Sequence, residues 1–231
     1  MMRRILLVTL ALTTAVVTAC SSDDSSGDGG SLPDGAGLLK DSAASMSDVK
    51  SAHFALDVNG EFPALPVHKA EGDLTRDGGS AGAAKGTISL DFMGSLFEGD
   101  FVLIDNSLYF KGPTGGWQKV PASMVTSTYD PGAILDPDRG VAKVLGSVRN
   151  AQTEGTEDID GVSTYKVTGE VTKDMVKDLV PGIDSDVNIT FWVRQDGGHQ
   201  PAKASVKVSD KASVDVTVSD IDKQVSITAP K

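Results

Sequence analysis

Few residues in this sequence have the type and spacing to do chemistry, and the most specific are Val17, Thr18, Ala19 and Cys20. An aliphatic residue, two small ones and a cysteine make a bacterial lipobox. Its chemistry is a thioether between the Cys20 thiol and a diacylglyceryl group, with cleavage of the chain just before Cys20. The sequence contains no second cysteine to pair with it, so an intramolecular disulfide is excluded and a lone exported thiol needs another explanation. Gly78-Gly79-Ser80-Ala81-Gly82 fits the G-x-S-x-G nucleophile pattern. That motif requires a strand before it and a helix after it. Here it lies in a Gly- and Ala-rich stretch between two alternating segments, so Ser80 is expected in a turn and no catalytic residue is assigned. His53, His68 and His199 are scattered without metal-ligand spacing. Asp158-Ile159-Asp160-Gly161 and Asp184-Ser185-Asp186-Val187-Asn188 begin like calcium loops but lack the Gly and Glu that complete one. No metal, no cofactor and no enzyme activity is implied.

The segments that carry Cys20 are plain. Arg3 and Arg4 precede an uncharged apolar run from Ile5 to Ala19, too short to span a bilayer, which reads as a secretory leader over residues 1–19. Residues 20–37, the acylated Cys20 followed by Ser, Asp and Gly, are expected to be a flexible tether, and residues 38–231 the folded domain. Loss of Arg3 and Arg4 with the leader takes the formal net charge from −11 to −13. So acidic a body has no attraction for nucleic acid or for anionic headgroups. Attachment to the outer face of the cell membrane must come from the acyl chains.

The domain alternates with period two over most of its length. Phe54, Leu56 and Val58, then Ile88, Leu90 and Phe92, then Val187, Ile189, Phe191 and Val193 each define a strand with one buried face. Val206 and Val208, Val214 to Val218, and Val225 and Ile227 continue the pattern, and Gly-, Asp- and Asn-rich turns separate the runs. The period changes in three places. Leu38–Ser51 carries Leu39, Ala43, Met46 and Val49 at helical spacing. Between Tyr129 and Asn150, Asp130-Pro131 and Asp136-Pro137 each combine a cap with a first-turn proline, so two short helices are expected. The second of these puts Val141, Val144, Leu145 and Val148 on one face. A further helix is expected at Lys173–Val180, with Met175, Val176, Leu179 and Val180 as its face.

Roughly nine to eleven strands with so little helix cannot stay flat, because twist makes wide sheets curl. The reading is an α+β fold: a curled antiparallel half-barrel with helices over its concave face. Both a hollow and a packed interior satisfy this pattern. If it is hollow, the candidate cavity residues are Ile88, Leu90, Phe92, Phe110, Ile134, Leu135, Val141, Val144, Leu145, Val148, Met175, Leu179 and Phe191.

Several stretches carry a resemblance: VKSAHFALDVNG at Val49–Gly60, AEGDLTRDG at Ala70–Gly78, YDPGAILDPDRGVAKVL at Tyr129–Leu145, DGVSTYKVTGEV at Asp160–Val171, and VSITAP at Val225–Pro230. With the lipobox, they make the chain similar to the mycobacterial LppX/LprA/LprF/LprG lipoprotein family, most closely its LprG members. The resemblance implies a half-barrel enclosing a large apolar cavity. It further implies multi-acylated envelope lipids as cargo: phosphatidylinositol mannosides, lipoglycans, triacylglycerol or phthiocerol-type waxes. A major-facilitator exporter is the implied partner, and the other function open to such a chain is an adaptor or structural lipoprotein acting through its surface.

Overall fold

In the computed structural model, residues 31–78, 82–92, 94–123 and 131–231 are described. Leu32–Lys231 form one compact unit. The leader, Cys20, Ser80, Tyr129 and Asp130 lie outside the described residues.

The alternating runs become eleven strands in one antiparallel sheet. They are β1 Ser51–Asn59, β2 Val67–Thr75, β3 Ala83–Phe92, β4 Ser95–Ile104, β5 Ser107–Lys111, β6 Gln118–Pro121, β7 Arg149–Ile159, β8 Val162–Val171, β9 Val187–Arg194, β10 Pro201–Ser209 and β11 Ala212–Ser219. Their order is β6-β5-β4-β3-β2-β1-β11-β10-β9-β8-β7, so the sheet is open, with β6 and β7 at its edges. Both edges are blunted against further pairing: β6 is four residues long and carries Lys119 and Pro121, and β7 has register shifts near Asn150 and Glu154. Hairpins close where left-handed backbone is tolerated, at Asp105-Asn106 between β4 and β5 and at Asp160-Gly161 between β7 and β8.

The central strands each bury one face, whereas β5, β6 and β7 bury no residue fully. Val218, Phe54, Gly72, Gly86 and Phe101 form a row across five strands, and Ala52, Leu74, Ala84 and Leu103 the row beside it. Gly72 pairs directly with Gly86. A Cβ on Gly72 would run into the Lys85 carbonyl oxygen, and one on Gly86 into that of Glu71. Only glycine lets β2 and β3 approach in this way.

The helices lie on this face. α1 spans Gly35–Ser47, capped by Asp34, whose carboxylate accepts a hydrogen bond from Gly37 N at 2.7 Å. It therefore starts inside the stretch expected to be tether, and it ends four residues before Ser51, which belongs to β1. Between β6 and β7, Pro131–Leu135 form a 3-10 helix and Val141–Ser147 the helix α2. The second expected helix does not begin at Pro137. The Asp136 carboxylate accepts from Asp138 N at 2.8 Å and Arg139 N at 3.1 Å, closing a turn, and Gly140 is the N-cap of α2. Gly140 is thus no internal burden on the helix: a Cβ there would collide with the carbonyls of Ala133, Ile134 and Asp136. Val148 lies just past the helix end in extended conformation. The helix α3 covers only Lys173–Val176, shorter than expected, and turns carry the chain on through Val180.

Val225 and Ile227 do not form a strand. After Ser219 the chain turns at Asp220 and Asp222, both with left-handed backbone, and crosses the outer face. There Ser51 Oγ donates to Lys223 O at 2.6 Å and Lys85 Nζ to Ser226 O at 3.2 Å.

Candidate functional site

The apolar face of α2 and the chain around α3 meet the inner face of β9–β11, and a cavity lies between them. Its walls are Ile134 from the 3-10 helix, Val141 and Val144 from α2, Val176, Leu179 and Val180 around α3, Ile189 and Phe191 from β9, Pro201, Lys203, Ala204 and Val206 from β10, and Val214, Val216 and Val218 from β11. Lys203 is the one charged residue among them, and its ammonium is engaged by Asp215 Oδ2 at 2.9 Å and by the Trp192 ring, 5.0 Å from the centroid. The cavity volume is about 50 Å³. An apolar cavity that takes a benzene-sized guest measures about 150 Å³. In this conformation the interior is therefore apolar and nearly closed, far smaller than the large cavity that the resemblance implies.

Of the candidate residues, Ile134, Val141, Val144, Leu179 and Phe191 line this cavity. Leu135 and Leu145 are buried in the core around it, and Val148 lies against Gly169 of β8. Met175 is half-buried on α3. Ile88 and Leu90 are half-buried on β3, and Phe110 is half-buried on β5, edge-to-face with Phe97 at 6.3 Å. These three belong to the other arm of the sheet. The side chain of Phe92 lies outside the described residues. The sequence does not mark the walls from β10 and β11, because alternation shows a buried face without saying which strands stand opposite the helices.

The histidine contacts lie on the outer face or in turns. His53 Nδ1 lies 2.9 Å from Asp73 Oδ1, and Lys85 Nζ 3.7 Å from Asp73 Oδ2. His68 pairs with Asp91 and His199 with the Arg194 carbonyl. Among the described residues no group of His, Cys, Asp or Glu could hold a metal ion. Gly78 and Gly82 connect β2 to β3, so a strand follows where a nucleophile elbow needs a helix. Burial raises the Asp136 carboxyl, but hydrogen bonds from Asp138 and Arg139 and the Arg139 charge outweigh that and leave it below its ordinary value.

An open antiparallel sheet with helices laid on one face over an apolar cavity defines the class: a one-sided α+β half-barrel. Residues 34–227 match the family described as LppX_LprAFG lipoprotein, and the chain belongs to that family. It is 35% identical over 232 residues to the lipoarabinomannan carrier protein LprG of Mycobacterium bovis BCG Pasteur, covering 99% of this chain and 95% of that protein. With the protein of the same name from Mycolicibacterium smegmatis it shares 37% identity over 224 residues, 96% and 93% of the two chains. The crystal structure of LprF from Mycobacterium bovis superposes with a TM-score of 0.77 at 27% identity, covering 85% of this chain and 96% of that one. Lipoprotein LppX of Mycobacterium tuberculosis gives 0.64 at 26% identity, covering 84% and 97%.

Proposed function

We propose that this chain is a membrane-anchored lipid carrier. It takes the acyl chains of a phosphatidylinositol mannoside, lipoglycan or triacylglycerol between α2 and β9–β11, and moves them from the inner membrane toward the outer envelope, in partnership with a major-facilitator exporter. The observation that carries this reading is the cavity whose lining from helices and strands is apolar but for the diverted Lys203. The names of the LprG relatives support it. Among the described residues no helix is long and apolar enough to cross a membrane, which suits attachment at Cys20 on the outer face.

The energetics explain why a carrier is needed and a catalyst is not. Exposing three acyl chains of about 15 CH₂ each to water costs about 36 kcal/mol at 0.8 kcal/mol per CH₂. Transfer from a bilayer into an apolar protein interior nearly cancels that cost, so only a lowered barrier and a downhill acceptor are required.

The cavity size of about 50 Å³ favours a second reading, an adaptor that acts through its surface around a packed core. Native mass spectrometry of the protein from its own host, followed by organic extraction, separates the two. The carrier reading expects non-covalent acylated lipid at near one molecule per chain. Lipid-free protein that also fails to load from vesicles would overturn it. Cys20→Ala is expected to release the protein from the membrane pellet with its circular dichroism unchanged.

A further inference from the structure

Among the described residues, Arg76 and the Lys50 that pairs with it follow the apolar rows on the inner side of the sheet; Lys50 is exposed, and Arg76 is half-buried. Gly72 and Leu74 face the interior with Phe54 and Ala52, and Arg76, two residues further, falls on the same side by alternation. Its backbone N–H still donates to Lys50 O at 2.8 Å, so the ladder geometry reaches it. The row just before it, Ala52, Leu74, Ala84 and Leu103, is fully apolar and buried. The carboxylates of Glu71 and Asp73 alternate to the opposite face, where His53 and Lys85 occupy them.

The Arg76 Nε and Nη2 atoms are buried and have no hydrogen-bond partner among the described residues. A guanidinium remains charged at any ordinary pH. Its buried N–H groups exert a standing demand for acceptors, and the planar fork fits two oxygens of one anion. Along β2, Arg76 lies four residues from Gly72, in the row that holds the cavity-lining Val218. That is about 13 Å at 3.3 Å per residue. The overall charge of the chain repels anions, so a site for one has to be built locally and out of water.

We propose that Arg76 receives the oxyanion, phosphodiester or carboxylate, at the polar end of an acylated lipid whose chains occupy the cavity. This rests on the carrier reading and adds to it a preference for anionic over neutral lipids. The arrangement is simple: apolar rows take the chains, and the cation where the rows stop takes the head.

The test uses the full chain, any covalent anchor adding a constant mass. Wild type, Arg76→Gln and Arg76→Lys are offered an equimolar mixture of phosphatidylinositol, oleic acid and triolein in detergent micelles, and native mass spectrometry counts each bound lipid. Charge-assisted hydrogen bonds of this kind correspond to about a ten- to hundredfold preference. Arg76→Gln is expected to lower the ratio of bound phosphatidylinositol to triolein by about tenfold or more, with triolein binding retained and Arg76→Lys intermediate. A fall in the oleic acid ratio alone would assign the site to carboxylates. Ratios unchanged within about twofold would overturn the Arg76 assignment and leave the carrier reading intact, whereas a wild type that binds no lipid would overturn both. If Arg76→Gln fails to fold, titrating wild type with inorganic phosphate decides the matter: the phosphatidylinositol ratio must fall while triolein is unaffected.

Discussion

The two arms of the sheet are built alike and covered differently. From β7 to β11 the inner face lies under α1, α2 and α3, and Val167, Ile189, Phe191, Val193 and Val214 are all nearly inaccessible. From β3 to β6 the cover thins to the 3-10 helix: every residue of β5 is half-buried and β6 is mostly exposed. Strand pairing holds both arms, but only the first has the helix-on-sheet packing that makes a sealed interior. Apolar alternation in a strand is thus a statement about a face, and what lies on that face decides whether it becomes core, cavity or surface.

The largest effect that separates the arms should come from Phe191→Ala. Phe191 is 1% exposed, and a buried Phe→Ala change typically costs about 3–5 kcal/mol. Phe110→Ala, in the thinly covered arm, should cost clearly less, and equal shifts in urea midpoint for the two would end the comparison. Next comes Val144→Trp. With Val144 1% exposed beside a cavity of about 50 Å³, the bulky side chain should displace lipid, and the stripped protein should lose about 1–3 kcal/mol as well. Melting and lipid stoichiometry measured on one preparation, stripped and reloaded, check both effects. The smallest effect concerns the turn that sets up α2. Because the folded-state pKa of Asp136 lies below its ordinary value of 3.8, its contribution is present above that pH and is lost as pH falls through the lowered value. Asp136→Asn should therefore cost up to about 1 kcal/mol at pH 7 and progressively less as the pH is taken below 3.8, read from urea midpoints along that series.

Strands and hairpins were the legible part of the fold, because alternation and the turn residues at Asp105-Asn106 and Asp160-Gly161 act locally. Helix limits were less legible. Asp136-Pro137 has the residues of a helix start, yet its carboxylate closes a turn, and Gly140, which composition counts against a helix, stands outside it. Val225 and Ile227 alternate like a strand, but the ladder position beside β11 is already taken by β1, and the tail crosses the outer face instead. That pairing of the first strand with the last joins residues far apart in sequence, such as Phe54 and Val218. For the same reason the strand side of the cavity was legible only at Phe191: α2 announces its face by periodicity, while Ala204, Val206 and Val216 become walls only through strand order.

The unjoined edges β6 and β7 have a geometric consequence. In a closed barrel the number of strands and the stagger of their hydrogen bonds together fix the circumference, so the bore is set once the ladder is made. A sheet that never meets itself obeys no such closure condition. Its curvature is not fixed by strand number and stagger, and at Gly72 and Gly86 no side chain stands on the inner face to hold one radius. On the carrier reading, a sheet of this kind is not tied by its ladder to guests of a single girth.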